Sequence, residues 1–379
     1  MKIAVLGLSI TSSWGNGHAT TYRALIRALA ARGHDVLFLE RDAEWYAGNR
    51  DLPAPPYCTV RLYRTTTELE HRCAPALRAA DVVVVGSYVP DGIAVGDLVL
   101  RHATGVTAFY DIDTPVTLSR LPDSVDYITA GQIPKYDLYL SFTGGPTLDV
   151  LERSHGARLA RALYCSVDSE LYFPEGGADP DSKSDLGYLG TYSADRQTIL
   201  ERLMLGPARR WPEGRFVVAG PQYPESVRWP SNVERVMHLS PAHHRHFYNT
   251  LRYTLNITRR DMVAAGYSPS VRLFEAAACG TPIISDTWKG LDRFLMPAAE
   301  ILLARNARQI LAYLRDIPEN ERRELGLAAR TRVLGAHTSA HRAVEFEQAV
   351  AEAGLRPASA ADSASGPGLL EATPSWRAI

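Results

Sequence analysis

Short apolar runs alternate with amphipathic stretches through the first half of the chain. Residues 82–85 are four consecutive valines, a continuous run that is typical of a strand buried on both faces of a parallel sheet. Residues 19–32 carry apolar positions at helical spacing and end before Gly33. This rhythm predicts a parallel, doubly wound sheet. The predicted strands are residues 2–6, 35–40, 81–86, 106–110, 137–141 and 161–164, and the predicted helices are residues 19–32 and 69–80.

A second series of the same kind follows a polar, Pro/Gly/Asp-rich break at residues 166–184, which indicates an interdomain linker. After Gly354 the low-complexity sequence RPASAADSASGPG predicts a disordered tail. The strands predicted between them are residues 185–189, 216–219, 233–238, 255–257 and 281–285, with helices at 195–205 and 269–279 and one or two closing helices within 331–353.

The two series predict two Rossmann-like domains. The expected limits are an N-terminal domain at 1–165, the linker at 166–184, a C-terminal domain at 185–335, a closing helix at 336–353 that packs back on the first domain, and a tail at 354–379.

Composition excludes several classes of protein. The chain has 379 residues, too many for one typical core, and 46% of them are hydrophobic, as in a globular protein. The net charge of −1, from 41 basic and 42 acidic residues, gives no sign of a nucleic-acid partner. No apolar run has the length of a membrane span, and the start lacks the features of a signal peptide. The four cysteines have no metal-binding spacing and are expected to be reduced, which favours a cytoplasmic location.

The most informative segment is residues 256–286, which predicts strand, loop, helix and strand. Ser268 is expected to N-cap a helix that has Pro269 at its first position. Free backbone N–H groups, hydroxyls and the positive end of the helix dipole favour an anion there. Arg272 lies in the first turn, and Glu275 lies two turns beyond Ser268 on the same side. A phosphate at the helix start and a hydroxyl-bearing ring below it would fit this spacing.

The phrase FEAAACGTPII, residues 274–284, resembles the donor-nucleotide motif of GT-B glycosyltransferases of the group-1 type, especially the CgeB-like (spore maturation protein) branch. The resemblance implies a GT-B fold, in which two Rossmann-like domains face each other across a cleft. It also implies that Glu275 binds the ribose of a nucleotide-sugar and that Ser268, Ser270 and Val271 bind its diphosphate. Many retaining members carry a second Glu eight residues before the first, where this chain has Tyr267.

Further donor-binding candidates follow the predicted strands of the second domain. In the resembling family the loop after the first of these strands, here with Gly190 and Thr191, lies beside the diphosphate and the transferred sugar. Arg196 follows in this loop, where its planar guanidinium would match phosphate oxygens, while Asp195 is the competing candidate for a helix N-cap. The remaining donor-binding candidates are Gly220, for the base pocket, and Arg259, Tyr267 and Arg272 beside the helix start.

The loop after the first strand is the predicted acceptor-binding region. Gly15 and Gly17 let the backbone approach a ligand closely, and Ser13, Trp14 and Asn16 are expected to contact the acceptor. His18 opens the first helix, and a His in this loop is the general base of many inverting GT-B enzymes, a role suited to its pKa. The alternative is that His18 only lines the loop.

Asp111 and Asp113 end the strand at residues 106–110 and are expected to point to one side. They are candidates to orient His18, to act as the base or to hold an acceptor group. The alternative is an Asx turn before Pro115. No metal is predicted, because GT-B enzymes usually use none.

The predicted function is a metal-independent, hexosyltransferase-like glycosyltransferase without a bound cofactor. Its co-substrate would be a UDP-, dTDP- or GDP-linked sugar and its acceptor a small molecule, glycan or peptide. A nucleotide-sugar epimerase of the same fold and a non-catalytic binding protein are the alternatives. An NAD-dependent oxidoreductase is disfavoured, because residues 7–12 lack the G-x-G-x-x-G fingerprint after the first strand.

Overall fold

The computed structural model describes residues 1–121, 125–176 and 183–355. The chain forms two compact units. Unit 1 contains Met1–Leu163 together with the chain from Arg342 onward, and unit 2 is Tyr164–His341. Residues 177–182 of the predicted linker, and the predicted tail from residue 356, lie outside the described residues. The predicted domain limits stay a prediction.

Unit 1 is built on a seven-stranded parallel sheet of order β3-β2-β1-β4-β5-β6-β7. The strand order reverses between β1 and β4, and a ligand-binding crevice usually lies at such a switch point. Helices and valine-rich strands bury apolar side chains on both faces of the sheet. The strands are β1 (Lys2–Gly7), β2 (Asp35–Arg41), β3 (Thr59–Tyr63), β4 (Val82–Gly86), β5 (Val106–Asp111), β6 (Leu138–Ser141) and β7 (Ala160–Ala162). The helices are α1 (Gly17–Ala31), α2 (Glu44–Ala47), α3 (Thr66–Ala79), α4 (Gly92–His102), α5 (Thr114–Arg120) and α6 (Pro146–His155), with a 3-10 turn at Ile133–Lys135.

Helix α3 shows how local chemistry sets a helix start. It begins at Thr66 rather than at the predicted residue 69, because Thr65 accepts a hydrogen bond of 3.0 Å from the Glu68 N–H. The Glu68 carboxylate in turn accepts one of 2.8 Å from the Arg64 N–H. Pro75 lies inside this helix without ending it.

Unit 2 contains a six-stranded parallel sheet of order β10-β9-β8-β11-β12-β13, with its switch point between β8 and β11. The strands are β8 (Ser184–Leu189), β9 (Phe216–Ala219), β10 (Val233–Val236), β11 (Leu251–Asn256), β12 (Ile283–Ser285) and β13 (Leu302–Leu303). The helices are α7 (Ala194–Leu200), α8 (Gly206–Arg210), α9 (Pro241–Asn249), α10 (Arg260–Ala265), α11 (Val271–Ala278), α12 (Ala307–Asp316) and α13 (Glu319–Ala336), with a π-helical turn at Glu201–Leu205 and a 3-10 turn at Leu291–Arg293.

The last helix, α14 (Ser339–Leu355), leaves unit 2 after His341 and packs in unit 1. Its Glu347 accepts hydrogen bonds from Arg32 at 2.6 Å and 2.7 Å. Its Glu352 accepts one of 2.9 Å from Arg161. Two ion pairs therefore attach the end of the described chain to the first unit.

Throughout residues 1–121, 125–176 and 183–355, no helix combines the length and apolar character needed to cross a membrane.

Candidate functional site

Two glycines bring the loops after β8 and β9 into contact at the carboxyl edge of the unit 2 sheet. Gly220 has φ +144°, and a Cβ placed on it would lie 2.2 Å from the Gly190 carbonyl oxygen. The Gly190 N–H donates to Ala219 at 2.8 Å, and the Gly220 N–H donates to Val236 at 2.8 Å. Only glycine fits this approach, so the two predicted donor-site glycines let the loops after β8 and β9 come together.

Arg272 lies beside Gly190, in the first turn of α11. Its Nε donates a 2.5 Å hydrogen bond to the Leu189 carbonyl, and its Nη1 donates one of 3.0 Å to Asn256. The guanidinium lies 5.1 Å from the centre of the Tyr188 ring. A Cβ on Gly190 would lie 3.1 Å from Nη2. Backbone, amide and aromatic partners therefore hold a positive charge where β8, β11 and α11 meet.

The start of α11 differs from the prediction. The helix begins at Val271 with Ser270 at the N-cap, so the predicted N-cap role of Ser268 and the start at residue 269 are wrong. Ser268 is buried and its hydroxyl points to the Met262 sulfur at 2.8 Å. The Ser270 hydroxyl instead donates to Asn256 Oδ1 at 2.7 Å. Asn256, which sequence reasoning missed, therefore fixes both Ser270 and Arg272.

Glu275 lies deeper along α11 and is only 3% exposed. Its Oε2 accepts a 3.0 Å hydrogen bond from the Tyr248 hydroxyl and lies 3.8 Å from Nδ1 of His244. Burial and the neighbouring Glu275 raise the pKa of Tyr248 and of Tyr172 well above the ordinary value. Both phenols therefore stay neutral beside the carboxylate.

Tyr267 precedes α11 in a left-handed conformation, with φ 47°. Its N–H donates to the Lys289 carbonyl at 2.7 Å. Its ring packs against Gly290 so closely that a Cβ added to Gly290 would lie 2.3 Å from Cδ1 of Tyr267. A non-glycine residue in this conformation is uncommon and often marks a functional site. The loop after β12 therefore holds Tyr267 in place.

Asp195 connects two loops rather than capping α7, whose N-cap residue is Ser193. The carboxylate accepts hydrogen bonds from the Ser193 hydroxyl and, at 3.0 Å, from the Arg260 N–H. Burial raises the pKa of Asp195, but these two hydrogen bonds, and then the charges of Arg259 and Arg196, outweigh it and lower the pKa. Arg259 is the N-cap residue of α10. Arg196 donates a 2.7 Å hydrogen bond to the Thr191 carbonyl, so the predicted residues Thr191 and Arg196 belong to one turn.

The loop between β1 and α1 is held by Glu40, a fully buried residue near the end of β2. Its carboxylate accepts hydrogen bonds from Ser9 at 2.9 Å, from the Ile10 N–H at 2.8 Å, and from both the N–H and the hydroxyl of Thr11 at 3.1 Å and 2.5 Å. Four donors converge on one side chain, so Glu40 is a structural anchor for the loop.

Two residues that were predicted to contact the acceptor make hydrogen bonds that hold this loop. Asn16 is buried as the N-cap of α1 and accepts from the His18 N–H at 3.0 Å. Ser13 donates through its N–H and hydroxyl to Asp51 at 2.8 Å and 2.9 Å. Burial raises the pKa of Asp51, but the guanidinium of Arg23 and these hydrogen bonds outweigh it and lower the pKa to about 2. Asn16 and Ser13 therefore position the loop.

Three residues of this region, Trp14, Gly15 and Gly17, are exposed. Trp14 is 38% exposed. A Cβ on Gly15, which has φ +59°, or on Gly17 would meet nothing within 4 Å. His18 packs edge-on against the Tyr88 ring at 5.2 Å between centroids, and the Tyr88 hydroxyl donates to Asp113 at 3.1 Å. The structure thus brings two predicted catalytic residues to Tyr88, at the carboxyl edge of the unit 1 sheet.

Asp111 is placed differently from Asp113. It is fully buried, and its carboxylate accepts hydrogen bonds from Tyr139 at 2.6 Å, Thr117 at 3.0 Å and the Asp113 N–H at 3.1 Å. The last contact is the Asx-type turn given above as the alternative. Burial raises the pKa of Asp111 to about 6, although these three donors favour the ionised form. The expectation that both carboxylates point to one side is wrong, because Asp111 points into the core.

A cavity of about 600 Å³ adjoins Tyr88 in unit 1. Tyr88 has φ 64° and packs on Tyr127 with ring centres 4.7 Å apart. Val89, Pro90 and Ile93 add apolar walls, and the charged lining residues are Asp91, Arg120 and Asp126. No sequence motif marks this cavity, because Tyr88 and Tyr127 come together only in the folded unit.

Within the part of the chain that the structure describes, no three His, Cys, Asp or Glu side chains are grouped as a metal site. The four cysteines are free thiols, and burial raises the pKa of Cys58 to about 12.

Comparison with known proteins identifies the class of fold. Residues 196–348 match the family described as Glycosyl transferase-like. No curated protein matches the sequence significantly. Among solved structures, sucrose-phosphate synthase from Thermosynechococcus elongatus is 16% identical with a TM-score of 0.67, covering 93% of this chain and 98% of its own.

Two further neighbours were solved with nucleotide or nucleotide-sugar. Anabaena HepE in complex with UDP and glucose is 11% identical with a TM-score of 0.68, covering 93% of this chain and all of its own. An alpha-glucosyltransferase in complex with UDP-glucose and DNA is 10% identical with a TM-score of 0.67, covering 93% of this chain and 99% of its own. The two parallel-sheet units therefore have the GT-B fold, as the sequence predicts.

Proposed function

We propose that the protein is a glycosyltransferase of the hexosyltransferase kind, which moves a sugar from a nucleotide diphosphate to an acceptor. The observation that carries the proposal is Arg272, held by Leu189 and Asn256 beside the Gly190–Gly220 contact in a GT-B fold. A guanidinium and the first N–H groups of α11 together favour a diphosphate. Solved neighbours of this fold bind UDP or UDP-glucose, so UDP is the first nucleotide to test, followed by dTDP and GDP.

In this proposal Arg272, Arg196 and the start of α11 stabilise the charge that grows on the leaving diphosphate. These positive groups serve in place of a protein-bound metal ion. Glu275 binds the ribose hydroxyls, and Tyr267 contacts the transferred sugar. Membership of the CgeB-like branch and a cytoplasmic location stay predictions, supported by the FEAAACGTPII phrase and by the reduced cysteines.

The acceptor would be a small molecule, glycan or peptide bound in unit 1. Trp14, Gly15 and the cavity beside Tyr88 offer the aromatic and open surfaces that such a molecule needs. His18 takes the proton from the acceptor hydroxyl, with Tyr88 and Asp113 beside it. Asp111 acts only as a positioning residue, because it is buried.

The test is a thermal-shift screen of UDP, dTDP, GDP and CDP with the full chain. A ligand that binds only the folded protein raises its melting temperature. We expect a shift with one nucleotide that is lost in Arg272→Gln and Glu275→Gln but kept in Arg308→Gln, whose exposed side chain lies on α12. No shift with any nucleotide would overturn the proposal. Conversion of the donor sugar without any acceptor would instead favour the epimerase.

A further inference from the structure

A second cavity, of about 590 Å³, lies in unit 2 at the edge of the sheet opposite to Arg272. Its walls include Asp185 near the start of β8, Arg215 just before β9, Arg252 near the start of β11 and Pro282 just before β12. Since the strands of a parallel sheet all start at the same edge, this cavity is distinct from the carboxyl edge where Arg272 lies. The proposed donor chemistry does not use it.

Positive charge dominates the lining. The cationic lining residues are Lys183, Arg215, Arg252, Arg322, Arg323 and Arg330, and the carboxylates are Glu175, Asp185 and Glu319. Six cations therefore face three acids.

The three acids are already engaged. Asp185 pairs with Arg252 at 2.8 Å. Glu319 is shared by Arg322 and by Arg323, the latter at 2.9 Å. Glu175 is bonded at 2.7 Å to Arg245, which is not among the lining residues. The carboxylates thus leave a surplus of positive charge on the cavity.

Two of the cations show how closely this charge is packed. Arg322 is 6% exposed and is held by Glu319 and, at 3.0 Å, by the Arg252 carbonyl. Burial lowers the pKa of Lys183, and the nearby positive charge of Arg322 lowers it further. The charge of Glu319 offsets only part of this shift, so an anion bound between Lys183 and Arg322 would stabilise both positive charges.

We propose that this cavity is a second anion-binding site, which takes a small molecule that carries at least two phosphate-type charges. Guanidinium groups match phosphate oxygens in pairs, and Lys183 supplies a flexible point charge. The volume accommodates a small organic phosphate as well as inorganic pyrophosphate.

The test is calorimetric titration of the full chain with pyrophosphate at constant ionic strength, since screening weakens surface charges. The cavity variant is Lys183→Gln/Arg323→Gln; the Arg323 side chain is 66% exposed, so its replacement leaves the core intact. Arg330→Gln is a second, independent cavity variant. We expect each to weaken pyrophosphate binding about ten-fold or more, which corresponds to roughly 1.4 kcal/mol. Arg308→Gln, which removes an exposed charge of the same unit, is expected to bind like the wild type.

Arg272→Gln separates this site from the donor site, because pyrophosphate also resembles the diphosphate of a nucleotide. We expect Arg272→Gln to keep the component of binding that the cavity variants lose. Any one of three results would overturn the inference. These are loss of all pyrophosphate binding in Arg272→Gln, unchanged binding in both cavity variants, and no saturable binding by the wild type. None of these outcomes depends on whether the protein transfers sugars.

Discussion

The hydroxyl group of Tyr248 donates a 3.0 Å hydrogen bond to the Glu275 carboxylate, and both side chains are buried. Tyr248 comes from α9 and Glu275 from α11, so the bond joins two helices that pack on the same sheet. A buried carboxylate needs such donors, because burial without them carries a large desolvation cost. Glu275 therefore has a structural partner in addition to its proposed ligand.

Removal of that hydroxyl should destabilise unit 2. We expect Tyr248→Phe to lower the free energy of unfolding by about 1–3 kcal/mol, because a buried charge loses a donor. Urea-induced unfolding measures the change. Tyr253→Phe is the matched control, because its buried hydroxyl has no partner among the described residues and its removal should be neutral or slightly stabilising. Equal losses in the two variants would contradict the structural role of the Tyr248–Glu275 bond.

Arg272→Lys tests whether the guanidinium shape matters at the proposed donor site. A lysine keeps the charge but cannot contact Leu189 and Asn256 at once while facing a phosphate. We expect the dissociation constant for the nucleotide to rise about 10- to 100-fold, measured by calorimetry.

The control for this prediction is Arg308→Lys, which changes an exposed arginine of the same unit and should leave nucleotide affinity unchanged. Nucleotide affinity in Arg272→Lys equal to that of the wild type would show that only a point charge is needed there.

Gly220→Ala tests the contact between the two glycine loops. The added Cβ would lie 2.2 Å from the Gly190 carbonyl oxygen at a backbone conformation, φ +144°, that alanine rarely adopts. We expect a loss of roughly 2–4 kcal/mol in the free energy of unfolding, together with weaker nucleotide binding. Chemical denaturation and calorimetry measure the two effects.

Gly335→Ala is the control variant for Gly220→Ala in the same unit. Gly335 lies inside α13, and a Cβ there would meet nothing within 4 Å. Alanine in a helix should stabilise by about 0.5–1 kcal/mol relative to glycine. If Gly220→Ala behaved like Gly335→Ala, the loops after β8 and β9 would not be in the contact described.

The sequence predicted the parallel sheets and the GT-B fold because these depend on local patterns. Four consecutive valines identified β4, and the apolar run at residues 216–219 matched β9 to the residue. Helix and strand ends were less well predicted: β11 begins at Leu251, four residues before the prediction. The reason is that only Thr250 separates α9 from β11, so no longer loop marks where the strand starts.

The placement of single side chains could not be predicted in the same way. Asn16 caps α1 and the buried Ser268 lies against Met262, contacts that no local pattern predicted, while their roles in ligand binding stay predictions. Glu40 binds donors about 30 residues away in sequence, and Tyr88 meets Asp113 25 residues away. Such partners meet only through sheet topology, so no local spacing reveals them.

Asp111 predicts a pH dependence of stability. Its pKa is raised from 3.8 to about 6 in the folded protein, so the folded state holds this proton more tightly than the unfolded state between those values. Stability should therefore fall as the pH rises from about 4 to about 6 and be flat above, by an amount on the order of 3 kcal/mol at most. Asp111→Asn removes the titrating group, and its stability relative to the wild type should increase across this window.

Denaturation at several pH values between 4 and 7 measures this difference, and Asp51→Asn is the control. The pKa of Asp51 is lowered to about 2, so its contribution is present above pH 4 and is lost only as the pH falls below that value. The stability difference between Asp51→Asn and the wild type should thus stay constant from pH 4 to 7. A constant difference for Asp111→Asn as well would mean that Asp111 is ionised throughout, and that Tyr139, Thr117 and the Asp113 N–H fully offset its burial.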